Sequence, residues 1–249
     1  VLNSLTWYEN VIIEDLTTGI KSVASTTKLE GMRGRIPCRL LESLADSLKF
    51  DGVFKNTYFD AFVGLQSNTL TPGIMYPPDL LKYNTALEEI PNMFMRTQVP
   101  VGVKVNSDIF SMLVNLKNVS GCWSDCIFDR RAYNADTAPS MSQFTYQSLF
   151  ANNPRITNAS SLFAVYTIDT IYRGLYTIEK TLLQNCYNIN NVSNMFYYNG
   201  SMAGEVPEFP ALSYTVLNSV TGYLIGCTRG LITNESTLEA RLKPEDWLN

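Results

Sequence analysis

The hydrophobic pattern along the chain changes period several times. Residues 37–48 predict a helix: Pro37 suits a first turn, and Leu40, Leu41, Leu44, Ala45 and Leu48 fall on one face. Asp51-Gly52 then punctuates, and residues 53–63, rich in aromatic and β-branched side chains, predict a strand. Residues 68–78 carry Pro72-Gly73 and Pro77-Pro78 and predict a loop. Alternation over residues 100–106 predicts a second strand, followed by an apolar segment at 109–114. Residues 121–139 are polar and bear Cys, Asp and Arg, which predicts a loop.

Residues 162–168 form an apolar run suited to a central strand. Ile168, Ile171, Tyr172, Leu175, Ile178, Leu182 and Leu183 then recur at three- and four-residue steps, predicting an amphipathic helix. Gly174 weakens that helix by about 1 kcal/mol relative to Ala. A loop is expected at 185–194, and short strands near 195–198, 214–217 and 223–227. The fold class this predicts is α+β: helices flanking a mostly antiparallel sheet, divisible into two sequential lobes. The expected units are an N-terminal segment at 1–34, a first lobe with its helix at 35–184, and a second partial lobe or extension at 185–249. No internal repeat is expected.

Composition narrows the chemistry. Charged residues make up 17% of the 249, which is low for a soluble domain, and histidine is absent. Without His there is no Ser-His-Asp triad, no Cys-His dyad, no HExxH zinc site and no His-ligated haem. A net charge of −4 with no basic block gives no footprint for nucleic acid. No apolar run approaches the length of a membrane span, so any membrane link is expected through segments outside this chain. Opening at Val1 without an initiator Met, the chain reads as a piece of something longer.

Five cysteines stand at 38, 122, 126, 186 and 227. Cys122 and Cys126 are close enough for a local disulfide, and equally fit two buried thiols. No second Cys pair or His completes a zinc tetrahedron, so neither a metal nor a cofactor is expected. Asn-X-Ser/Thr sequons occur at Asn118, Asn158, Asn191, Asn199 and Asn234. Five is close to what 22 Asn and 42 Ser or Thr in 249 residues produce by chance. Most lie in polar, turn-like stretches, and together with the low charge they favour an extracellular or lumenal glycoprotein.

Several carboxylates (Asp125, Asp129, Asp169 with Glu179, Glu88 with Glu89) read as solvated surface. Gly31-Met-Arg-Gly-Arg35 lacks both phosphate-loop and dinucleotide spacing and reads as a turn. Arg130-Arg131 offers two-pronged recognition of a carboxylate, or a structural ion pair with Asp125 or Asp129. Asp169 follows an apolar run and opens a helical pattern, where it suits an N-cap or a ligand's amine.

Four segments, in order, resemble the extracellular Cache sensor domains. They are the helix at 40–48 with Val53-Phe-Lys-Asn-Thr-Tyr-Phe-Asp-Ala-Phe-Val-Gly, Phe128-Asp-Arg-Arg-Ala-Tyr-Asn-Ala, Leu162-Phe-Ala-Val-Tyr-Thr-Ile-Asp, and Tyr223-Leu-Ile-Gly-Cys-Thr-Arg-Gly. The Trp-Tyr pair and the Pro of the family's arginine segment are absent. The resemblance spans residues 35–230 and implies two PAS-like lobes. It places Arg130 or Arg131 on a ligand carboxylate, Tyr133 in the pocket wall and Asp169 on the amine of an amino acid. The expected function is a non-catalytic sensory or regulatory ligand-binding module, with other protein subunits as partners. The alternative is a structural subunit of a viral coat or extracellular filament, since large interfaces disfavour charge.

Overall fold

The computed structural model describes residues 41, 44–55, 80–96, 98–99, 108–128, 149–166, 176–177, 180–199, 202–203, 205–210, 213–227 and 233. Within them one arrangement recurs six times. Lys49 bridges Glu89, Glu89 bridges Asn118, Asn118 bridges Asn158, Asn158 bridges Asn191 and Asn191 bridges Ser219, every pairing parallel. Each pass of the chain lies beside the one before it and runs the same way, which is the geometry of a solenoid.

The same backbone bonds join every pass to the next. One residue after the bridge, the N–H donates to the next bridge carbonyl: Phe50 to Glu89, Ile90 to Asn118, Val119 to Asn158, Ala159 to Asn191, Val192 to Ser219. Three residues on, Gly52 donates to Pro91, Asn92 to Ser120, Gly121 to Ser160, Ser161 to Ser193 and Asn194 to Thr221. Five residues on, Phe54, Phe94, Trp123, Phe163 and Phe196 repeat the step. Short parallel strands extend the pairing: β1 (Gln98–Val99) with β2 (Ile127–Phe128), and β3 (Tyr176–Thr177) with β4 (Met202–Ala203).

The third residue after each bridge is left-handed in all six passes: Gly52, Asn92, Gly121, Ser161, Asn194 and Gly222, with φ between 53° and 73°. Glycine and asparagine dominate because a side chain with a bulky Cβ environment strains there. At Gly121 a Cβ would also overlap Asn92 Oδ1, and at Gly222 it would overlap Asn194 Oδ1. Two residues further on, the chain turns inward and delivers an aromatic or apolar residue to the core.

That delivery builds a column of rings. Phe54 stacks on Phe94 at 5.6 Å, Phe94 on Trp123 at 5.2 Å, Trp123 on Phe163 at 6.0 Å and Phe163 on Phe196 at 5.6 Å. A second stack, Phe110 on Phe150 at 5.5 Å, comes from the residue eight before the bridge. Aliphatic columns fill the space between, such as Leu87, Leu116, Ile156 and Ile189 two residues before the bridge. Each stacked pair adds about 0.5–1.5 kcal/mol beyond the burial of its area.

Buried amides reach back from the turns that precede two of the bridges, Glu89 and Asn158. Asn84 Nδ2 donates to the carbonyls of Leu41 and Leu44, and Asn153 Nδ2 donates to those of Phe110 and Leu113, in each case one pass back. Each of these carbonyls already accepts an N–H three residues on within its own turn, and the asparagine donor fills its second lone pair and ties the turn to the next pass. The Oδ1 atoms of both asparagines stay buried with no hydrogen-bond partner among the described residues.

Several sequence expectations change here. The described pairings are parallel, where a mostly antiparallel sheet is expected. Among the described residues the arrangement repeats, where no repeat is expected. In the described parts of the expected helices, residues 44–48 are turns, and Tyr176–Thr177 is a strand followed by turns at 180–185. Leu41, Leu44, Leu182 and Leu183 face the solenoid interior while Leu48 is exposed, because one pass presents spaced apolar residues inward much as a helix does. Segments 195–198 and 223–226 are turns where strands are expected, and Ser213–Val216 forms a helical turn, α1. No helix among the described residues is long and apolar enough to cross a membrane.

Truncating a central ring should open a gap in the column. Phe163→Ala is expected to destabilise by about 3–5 kcal/mol, read as a lower urea midpoint. The exposed Tyr187→Ala should stay within about 0.5 kcal/mol of the wild type.

Candidate functional site

The ladder has an inner and an outer side. The residue after each bridge is apolar and packs inward, so the bridge residue and the one two beyond it face outward together, except in the second pass, where Pro91 is buried. In the early passes this outer column is charged and internally paired. Lys49 Nζ lies 3.2 Å from Glu89 and 4.0 Å from Asp51, and Lys117 Nζ lies 2.8 Å from Glu88. The sequence reading of Glu88 and Glu89 as independent solvated carboxylates is thereby refined: they pair with lysines from neighbouring passes.

Beyond Lys117 the charge disappears. The column continues as Asn118 and Ser120, then Thr157, Asn158 and Ser160, then Asn190, Asn191 and Ser193, and ends on Asn218, Ser219 and Thr221. Three of its asparagines adopt one conformation. Asn118 Oδ1 accepts the Ser120 N–H at 3.0 Å, Asn158 Oδ1 accepts that of Ser160 at 3.0 Å, and Asn191 Oδ1 accepts that of Ser193 at 3.1 Å. The Ser193 hydroxyl adds a bond of 2.8 Å to the same oxygen. These are Asx turns, in which a side-chain carbonyl closes the turn by capping the N–H two residues on. Each fixes its amide plane and leaves the Nδ2 donors without a partner among the described residues. Adjacent strands lie about 4.8 Å apart, so the free amides of neighbouring passes form a regular row.

Tyrosines border this row. Tyr166, about half exposed, shares a 2.6 Å hydrogen bond between its hydroxyl and that of Ser161, next to Ser160 in the outer column. Its ring meets Tyr197 at 5.5 Å, and Tyr197 meets the exposed Tyr198 edge-on at 4.6 Å. Asp125 anchors the start of this rim: its Oδ1 accepts the Tyr166 N–H at 2.6 Å, and its Oδ2 lies 3.5 Å from Arg96 Nε. Asp125 is therefore buried and structural, where the sequence suggests solvated surface or a pair with Arg130 or Arg131.

Arg130, Arg131, Tyr133 and Asp169 all lie outside the described residues, as do Asp129, Glu179 and residues 31–35. Asn234 does too. Of the remaining sequons, Asn118, Asn158 and Asn191 are the Asx-turn residues of the outer row, and Asn199 is buried, its Nδ2 donating to Phe163 O at 2.7 Å. These motifs recur because three consecutive passes place Asn at the bridge and Ser two residues later, closing the same Asx turn. A signal was present in the sequence: Asn118-Val-Ser-Gly-Cys-Trp, Asn158-Ala-Ser-Ser-Leu-Phe and Asn191-Val-Ser-Asn-Met-Phe share one pattern through six residues.

The cysteines have structural partners as well. Cys122, Cys126, Cys186 and Cys227 are free thiols in this structure, and Cys38 lies outside the described residues. Cys126 Sγ donates to Phe94 O at 3.1 Å and Cys227 Sγ to Phe196 O at 3.0 Å, each reaching the preceding pass. Asn199 makes the equivalent bond, so Cys and Asn interchange at that place in the repeat. Cys186 occupies the place of Asn84 and Asn153, its Sγ 3.7 Å from Asn153 O. Burial pushes the Cys186 and Cys227 thiols up to about 12, and burial followed by the neighbouring Cys126 raises Cys122. No cluster of three His, Cys, Asp or Glu suited to a metal occurs among the described residues.

Compared with known proteins, the chain matches no family model, no curated protein and no solved structure.

The thiol placement yields a measurable expectation. At pH 8 a disulfide-exchange reagent should leave Cys122, Cys126, Cys186 and Cys227 unmodified in the native protein and label all four in denaturant, read by peptide mass mapping. The folded Cys186 holds its proton more tightly than the unfolded thiol of about 9. Its contribution to stability is therefore complete below pH 9 and lost as pH rises toward about 12. A denaturation midpoint that instead rises over that interval would contradict the assignment.

Proposed function

We infer that this chain is a non-catalytic binding module whose working surface is the outer side of the ladder. One observation carries the reading. From Asn118 to Thr221 the outward column is uncharged, the amides of Asn118, Asn158 and Asn191 are held in one orientation, and exposed tyrosines rim it. Donors locked before a partner arrives lose little conformational freedom on binding, so their hydrogen bonds contribute more of their energy to affinity. Solenoids use such extended faces for recognition because each pass adds one row of side chains to the same surface.

The expected setting is the extracellular face of a larger assembled or membrane-associated protein. The low charge and the Asn-, Ser-, Thr- and Tyr-rich surface support that setting. The cysteines and four of the five sequons do not add to it, since each has a place in the fold. The amino-acid pocket implied by the sensor resemblance rests on Arg130, Arg131, Tyr133 and Asp169 and draws no support from the ladder.

The structural-subunit reading uses the same uncharged face, but for contact between copies. Sedimentation velocity separates the two. A single monomeric species across the micromolar range is the outcome expected of a binding module. Concentration-dependent growth into filaments or shells would overturn it in favour of the subunit.

A further inference from the structure

We propose that the outer row binds an extended, neutral polysaccharide lying along the solenoid axis, with Asn158, Asn191, Ser160 and Ser193 as hydrogen-bonding residues and Tyr166 and Tyr197 as stacking platforms. This rests on the binding-module reading and names its ligand class.

The chemistry of the face selects the ligand. A polyanion such as nucleic acid requires cationic side chains, and the column carries none beyond Lys117, which is already paired with Glu88. An apolar peptide requires an apolar groove, whereas this face is made of amides and hydroxyls. Sugar hydroxyls are neutral and serve as both donors and acceptors. They match free Nδ2 donors alternating with Ser hydroxyls. Pyranose rings also carry an apolar C–H face that packs on aromatic rings, and the tyrosines supply rings with a polar tip beside the row.

The spacing supports an extended chain over a single sugar. Successive amides repeat every pass, at about 4.8 Å, close to the length of one residue in an extended β-1,4-linked glycan. One sugar per pass can therefore meet an equivalent amide and serine. Asn118 and Ser219 continue the row on either side, giving space for about four sugars by the same spacing.

Native electrophoresis through gels cast with hydroxyethyl cellulose, glucomannan or alginate provides the test. Retardation in at least one of the neutral β-1,4-linked gels, relative to a blank gel, and none in polyanionic alginate is expected. The decisive variant is Asn158→Asp/Asn191→Asp. It keeps the Oδ1 acceptor that caps Ser160 and Ser193, so the turns remain, but replaces the donors with acceptor oxygens. Affinity should fall at least tenfold with a native circular-dichroism spectrum at the binding temperature, the melting temperature dropping because the two new carboxylates repel one another across adjacent passes, and Tyr166→Ala should weaken binding similarly. Tyr187→Ala, exposed elsewhere, should bind as the wild type does. If the wild type migrates identically in all gels, or the double variant binds normally, the glycan assignment is wrong. Slow migration already in the blank gel would mark self-assembly, which strikes at the binding-module reading itself.

Discussion

Everything in this molecule follows from the parallel register that places each pass against the next. A parallel ladder with this bonding pattern leaves alternate side chains on opposite sides, one set committed to the core and one to solvent. The left-handed residue three places after each bridge then swings the chain so that an aromatic side chain enters the interior. Without that turn the ring column from Phe54 to Phe196 would not align. Without the column the short bridges would have nothing to hold them together, since strands this brief are marginal alone.

Polar groups inside the solenoid serve the same constraint. A pass contains tight turns whose carbonyls, most of them already accepting an N–H in their own turn, can take a second donor from the following pass. Asn84, Asn153, Asn199, Cys126, Cys186 and Cys227 all do so, which explains why a chain without metal-site spacing keeps so many buried cysteines and asparagines. A thiol and a carboxamide are both small enough to fit, and both can donate. The amide donates to two carbonyls where the thiol donates to one, so Asn places the stronger clamp.

Much of this was written in the sequence but in a register that element-by-element reading obscures. Of the apolar segment at 109–114, Ile109, Phe110 and Leu113 are core while Met112 and Val114 are exposed; Leu182 and Leu183 of the expected helix are core as well. Their period was misleading, because a pass that turns every few residues presents inward side chains at helix-like steps. The repeat itself was hidden by unequal spacing: bridge residues stand 40 apart from Lys49 to Glu89 and 28 apart from Asn191 to Ser219. The sequons were the visible trace. Counted as glycosylation signals they looked like chance, whereas aligned on the residues that follow them they mark three consecutive passes. The outer tyrosines gave no comparable signal, since Tyr166 joins the row through Ser161, a contact no spacing rule supplies.

The direction of the hydrogen bonds has a mechanical consequence. Every pass-to-pass bond lies along the solenoid axis, while the covalent chain runs across it. Tension applied along the axis loads the boundary between two passes alone and peels them apart in sequence, as a zipper opens. Shear across the axis loads all the boundaries together. The described ladder is therefore soft in one direction and stiff in the other.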